Sequence, residues 1–138
     1  VDLYYFGQGH TNGDTWIHYK GLRTLQTGDM MPWKDAPLLD RANGGSGLQF
    51  PQTLKKAIDT VKDVDTIIPG HQPVTTPAML QEYQRVMADL VAEVQAAVKA
   101  GKTAEQAAAS IDLTKKYQGY RTDRMKAAIE AIYAELGK

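Results

Sequence analysis

The sequence predicts an α/β protein of the layered α+β kind, and three observations carry that prediction. Up to about residue 75, short runs enriched in Thr, Tyr, Ile and Trp alternate with Gly and Pro, the texture of strands and turns. Within that segment a single stretch has the three- and four-residue spacing of an amphipathic helix, so the segment is not all β. From Thr76 onward the helical spacing takes over. Two units follow, residues 1–75 and a helical extension at 76–138.

The first strand is "LYYF". In "DTWIHY" the period of two puts Trp16 and His18 on one face and Ile17 and Tyr19 on the other. "YKGL" then offers a turn at Gly21 into "LRTLQT", which reads as a hairpin. His18 lies inside a strand and is read as a half-exposed sheet residue, not a ligand. "PQTLKKAIDTVKDV" places Leu54, Ala57, Ile58 and Val61 on one helical stripe and feeds a last strand, "DTIIP". A long helix begins at the Thr76 cap with Pro77 in its first turn, carries an apolar stripe from Met79 to Val98, and stops at Gly101. "TAEQ" is a capping box that opens a short Ala-rich helix. From Thr122, the residues Met125, Ile129, Ile132 and Leu136 form a final stripe ahead of Gly137.

Composition narrows the partners. A chain of 138 residues suffices for one domain with a usable core plus an appendage, and 43% apolar with 23% charged residues is globular. Sixteen basic residues balance sixteen acidic ones, so neither nucleic acid nor an anionic membrane is an expected partner. With no cysteine, disulfides and thiolate zinc sites are excluded, and any metal must be held by His, Asp or Glu. No apolar run approaches the roughly 20 residues that cross a bilayer, so a soluble chain is expected. The opening "VDLYYF" reads as a strand in progress, the mark of a piece of a longer protein, and a periplasmic or secreted parent stays open.

Three short segments carry chemistry. "GHTNGDT" at 9–15, "TGD" at 27–29 and "PGH" at 69–71 each set a polar residue after a glycine at the end of a strand. Loops held by a rigid sheet can bring such residues to one edge. His10 and His71 offer imidazole nitrogens and Asp29 a carboxylate able to bridge two cations, a donor set that suits zinc and also iron or manganese. "NGGSG" at 43–47 lacks the Lys-Ser/Thr ending of a phosphate loop and reads as a flexible loop near the site mouth, with Asn43 and Ser46 as lesser candidates for substrate contact. Trp33 reads equally as a pocket wall or as core.

In this order the three segments resemble the second half of the metallo-β-lactamase superfamily. "GHTNGDT" is similar to its third-histidine motif, "LQTGDMM" to the segment with the bridging aspartate, and "IIPGHQPV" to the last-histidine motif, a match that spans residues 2–75. The family's His-x-His-x-Asp-His motif is not among these residues. The resemblance implies the C-terminal half of an αββα sandwich followed by a helical tail. It further implies that His10 completes a three-histidine metal site, that Asp29 bridges two ions and acts in catalysis, and that His71 binds the second ion. The implied cofactor is zinc, two ions in the intact parent, with iron or manganese accepted by the same donors. The implied activity is hydrolysis of a small-molecule substrate by metal-activated water, with Thr11 and Asp14 supporting the ligands. An iron-dependent redox enzyme on the same scaffold and a non-catalytic half-domain or interaction module are the alternatives. Without the first motif, the chain alone is expected to bind zinc weakly and to hydrolyse little. The face that would meet the other half is expected to be covered by a homo-oligomer partner or by the missing N-terminal half, with the long helix on the outer side.

Overall fold

A computed structural model describes residues 1–138. The first segment forms four strands, β1 (Asp2–Tyr4), β2 (Trp16–Tyr19), β3 (Thr24–Gly28) and β4 (Thr66–Pro69), in one sheet of order β1-β2-β3-β4. β2 is antiparallel to both of its neighbours, β1 and β3, and β4 runs parallel to β3 after the crossover helix α1 (Phe50–Thr60). The tail adds α2 (Pro77–Lys99), α3 (Ala104–Ser110) and α4 (Met125–Glu135). A mixed sheet with four helices is the α+β layering that the sequence predicts.

The helix signals act where they stand. The Thr76 hydroxyl accepts from Met79 N–H at the start of α2, and Thr103 and Gln106 satisfy each other's backbone donors as a capping box. α4 begins at Met125, three residues later than Thr122, whose carbonyl accepts from Met125 N–H. The hairpin turn is a single helical turn, Lys20–Leu22, and its left-handed residue is Arg23 at φ 49°, not Gly21. Arg23 is held there by Asp65, just ahead of the neighbouring strand β4, whose carboxylate accepts from Nε at 2.6 Å and Nη2 at 3.0 Å.

Register sorts the two faces of the sheet. His18, Leu25 and Ile67 lie in one row across β2, β3 and β4, and all three are buried with Trp16 under the helices. Leu3, Ile17, Gln26 and Ile68 lie in a row on the opposite face, and none of them is buried; Leu3 is 67% exposed. The helices therefore cover one face only. His18 corrects the reading of a half-exposed residue: it is 6% exposed, and neither ring nitrogen has a hydrogen-bond partner. The alternation shows which residues it shares a face with, while the helices decide that this face is the core.

One hydrophobic cluster runs through the chain, joining Trp16, Leu25 and Ile67 to Phe50 and Leu54 of α1, Met87, Leu90 and Val94 of α2, and Ile129 and Ile132 of α4. Each such side chain contributes about 1.5–3 kcal/mol on burial. The tail is thus packed into the same core as the sheet that carries the candidate ligands.

Candidate functional site

Topology alone brings the candidate residues to one end of the sheet. β3 and β4 are parallel, so Asp29, just after β3, and His71, just after β4, leave at the same edge. β2 is antiparallel to β3, so the loop that enters it, carrying His10, reaches that edge as well. The side chains meet there: Asp29 Oδ1 lies 3.0 Å from His71 Nε2 and Asp29 Oδ2 lies 3.7 Å from His10 Nε2. Gly70 makes this approach feasible, because a Cβ at that position would collide with Asp29 Oδ1. The imidazoles close onto the carboxylate instead of standing around a common centre, and no group of three or more His, Asp or Glu side chains is spread to hold an ion as it stands.

The His10 arm is tightly built. Asp14 Oδ1 lies 3.1 Å from His10 Nδ1, which turns Nε2 toward Asp29. Asp14 is itself fixed by Thr11, whose N–H donates to Oδ2 at 2.8 Å and whose hydroxyl donates to Oδ1 at 3.1 Å. The backbone is gripped from the 40–46 loop: His10 O accepts from Asp40 N–H at 2.9 Å and Gly9 O from Ser46 N–H at 2.8 Å. Gly45 is required for that grip, since a Cβ there would strike His10 O and would lie 2.8 Å from Asp40 N. Asn43 bonds Asp40 through its side-chain amide and its backbone N–H, which holds the Asp40 carboxyl below its usual range.

"NGGSG" is therefore a clamp and not a flexible loop. Ser46 is 3% exposed, and its hydroxyl donates to Glu135 Oε1 at the end of α4. Glu135 Oε2 accepts from Gly47 N–H at 2.9 Å and Leu48 N–H at 3.4 Å, and Arg41 Nη1 lies 3.6 Å away. The carboxylate thereby satisfies donors just ahead of α1. It also consumes the Ser46 hydroxyl, leaving it no part in substrate contact.

The His71 arm is more open. His71 is 54% exposed at its side chain, and its backbone N–H donates to Pro32 O at 2.8 Å. Trp33 stands beside it with ring centroids 5.4 Å apart, and the Arg124 guanidinium lies 5.2 Å from the centre of the Trp33 ring. Trp33 Nε1 donates to Ala36 O at 2.9 Å, which sets the indole as a wall beside His71. The tail holds this wall in place. Arg121 N–H donates to Lys34 O at 2.8 Å, Arg124 N–H to Asp35 Oδ2 at 3.2 Å, and the buried Tyr83 hydroxyl to Asp35 O at 3.2 Å. Burial pushes the Tyr83 hydroxyl well above its usual pKa, so it acts as a neutral donor. Arg124, Asp35 and Glu135 are not among the residues the sequence singles out, since each acts through a partner distant in the chain.

No protein-family model matches the sequence, and no curated protein matches it. Solved structures do. The chain is similar to the DIM-1 metallo-β-lactamase at 20% identity and a TM-score of 0.55 over 63% of this chain and 41% of that one. It is similar to a metallo-β-lactamase from Pontibacter korlensis at 17% identity and a TM-score of 0.54, over 62% of this chain and 40% of that one. The stereoselective inverting sec-alkylsulfatase Pisa1 from Pseudomonas sp. aligns at 14% identity with a TM-score of 0.78, covering 96% of this chain and 23% of that one. The last match takes in the helical tail. The chain spans about two fifths of the length of these lactamases and under a quarter of the alkylsulfatase. At these identities the likeness is one of fold, and the chain folds as part of a metallo-β-lactamase-type domain with a helical extension packed onto it.

Proposed function

We propose that the chain is part of a metal-dependent hydrolase in which His10, Asp29 and His71 hold zinc, Asp29 bridging two ions in the complete centre. The observation that carries this reading is the shared carboxylate: one oxygen of Asp29 faces His71 Nε2 and the other faces His10 Nε2. Two imidazoles and a carboxylate match the donor chemistry of zinc, and the second nitrogen of His10 already faces a carboxylate, as a ligating imidazole requires. When bound, zinc supplies a Lewis acid that makes water nucleophilic near neutral pH. The chain's own residues aim and shield: Asp14 fixes the His10 ring, Gly70 admits the Asp29 carboxylate, and Trp33 covers one side of His71.

Three donors can hold one ion, and two ions need donors beyond them. The 138-residue chain should accordingly bind at most one zinc ion, weakly, and show little hydrolysis. The open face bearing Leu3, Ile17 and Ile68 is read as the surface on which a second sheet of such a domain packs. Zinc titration of the metal-free chain tests the reading. A single site abolished in Asp29→Ala and in His71→Ala is expected. Affinity unchanged by Asp29→Ala would sink it, and iron in place of zinc in the protein as isolated from cells would favour redox chemistry.

A further inference from the structure

Beside the His10–Asp29–His71 cluster lies a cleft of about 460 Å³ lined by Trp33, Asp35, His71, Arg121, Asp123 and Arg124. Its charges are not equally available. Asp35 is 4% exposed and spends its oxygens on the backbone N–H groups of Ala36, at 2.7 Å, and Arg124, at 3.2 Å. Asp123 is taken by Arg121, whose Nε donates to it at 2.8 Å. Arg124 has no carboxylate partner; its guanidinium stands over the Trp33 ring, 5.2 Å from the centroid, and lines the cleft. A guanidinium that contacts an indole and has no carboxylate partner has its forked N–H donors to offer, and such a fork takes two oxygens of one anion. Trp33 joins this cation to the candidate site, its ring centroid lying 5.4 Å from that of His71, which lines the same cleft.

We propose that the cleft binds an oxyanion, a carboxylate, sulfate or phosphate group, with Arg124 as its anchor and Arg121 as a weaker second contact. Resting on the hydrolase reading, this names the substrate class: an anionic molecule whose charged group sits over Trp33 while another part reaches the Asp29 cluster. The helical tail then supplies a specificity element that the sheet's loops lack. The Arg124 side chain makes no fold-holding bond of its own, because the link to Asp35 runs through its backbone N–H, so substitution should leave the chain folded.

The test is a titration of the metal-free chain with inorganic phosphate, followed by the NMR shifts of the Trp33 indole N–H and the Arg124 amide. Saturable shifts at both are expected. Arg124→Gln should weaken binding about tenfold, Arg124→Lys by less because it keeps the charge but not the fork, and Arg121→Gln by about threefold. Lys55→Gln, on the exposed face of α1 and paired only with Asp59, should change nothing. Absence of saturable shifts, or equal affinity in Arg124→Gln, would overturn the proposal. A parallel zinc titration separates the two readings: phosphate binding without zinc binding removes the hydrolase and keeps the cleft, and zinc binding without phosphate binding does the reverse.

Discussion

His10 and His71 reach the same carboxylate from loops built in different ways. The His10 arm is a nest of hydrogen bonds: Asp14 on the ring, Thr11 on Asp14, and the 40–48 clamp on the backbone, backed by Glu135 from the last helix. The His71 arm has two backbone bonds, Gly70 N–H to Met31 O at 3.2 Å and His71 N–H to Pro32 O at 2.8 Å, and an aromatic wall, and His71 is 54% exposed where His10 is 17% exposed. His18 marks the other extreme, buried with both nitrogens unpartnered. The difference shows that burial does not orient an imidazole; a fixed acceptor on its second nitrogen does. It also makes His10 the preorganised side of the site and His71 the adjustable side, next to the cleft where a substrate would enter.

The largest expected effect tests the far end of the His10 arm. Glu135→Ala removes an acceptor shared by Ser46, Gly47 and Leu48, of which the first two are buried and the third half-buried, and should destabilise the chain by about 3 kcal/mol in urea unfolding. Loss of stability with zinc affinity intact would show that the clamp serves the core and not His10. Asp14→Ala leaves the His10 ring without its anchor and should lower zinc affinity by about 10- to 100-fold in a chelator competition, with much less change in stability. Trp33→Ala strips the wall from His71 and should lower zinc affinity only about three- to tenfold, the scale of one aromatic contact. If Trp33→Ala proves the more damaging of the two, the contrast between a rigid arm and an adjustable arm is wrong.

The smallest effect is a pH dependence in the clamp. The Asp40 carboxyl titrates below its ordinary value of 3.8 because Asn43 bonds the charged form. Its contribution is complete above that value and is lost as pH falls through the lower folded-state value. Thermal unfolding between pH 5 and pH 3 should therefore decline slightly less steeply in Asp40→Asn than in the parent chain, on top of the fall shared by the other carboxylates. Identical slopes would remove Asp40 from the clamp's electrostatics.

How much of this was readable in the residues differs from part to part. Helix caps and stripes are local, so Thr76, Thr103 and the apolar spacing marked α2 and α3 closely, while α4 started later because its first turn is shaped by contacts with the Asp35 loop. The glycine-flanked strand ends pointed to His10, Asp29 and His71 because loops at the ends of neighbouring strands converge whenever the strands run as these do. By itself, then, the sequence determined the order of the elements, the faces of each strand and the three residues at the sheet edge, since those follow from periodicity and short-range turn chemistry. Only the tertiary structure decided which face of the sheet the helices bury, that Glu135 closes "NGGSG" onto the His10 loop, and that Arg124 comes to stand over Trp33. Those outcomes join residues about 90 positions apart, as Ser46 to Glu135 and Asp35 to Arg124, and no spacing rule reaches that far; they are set by how an amphipathic tail finds the sheet.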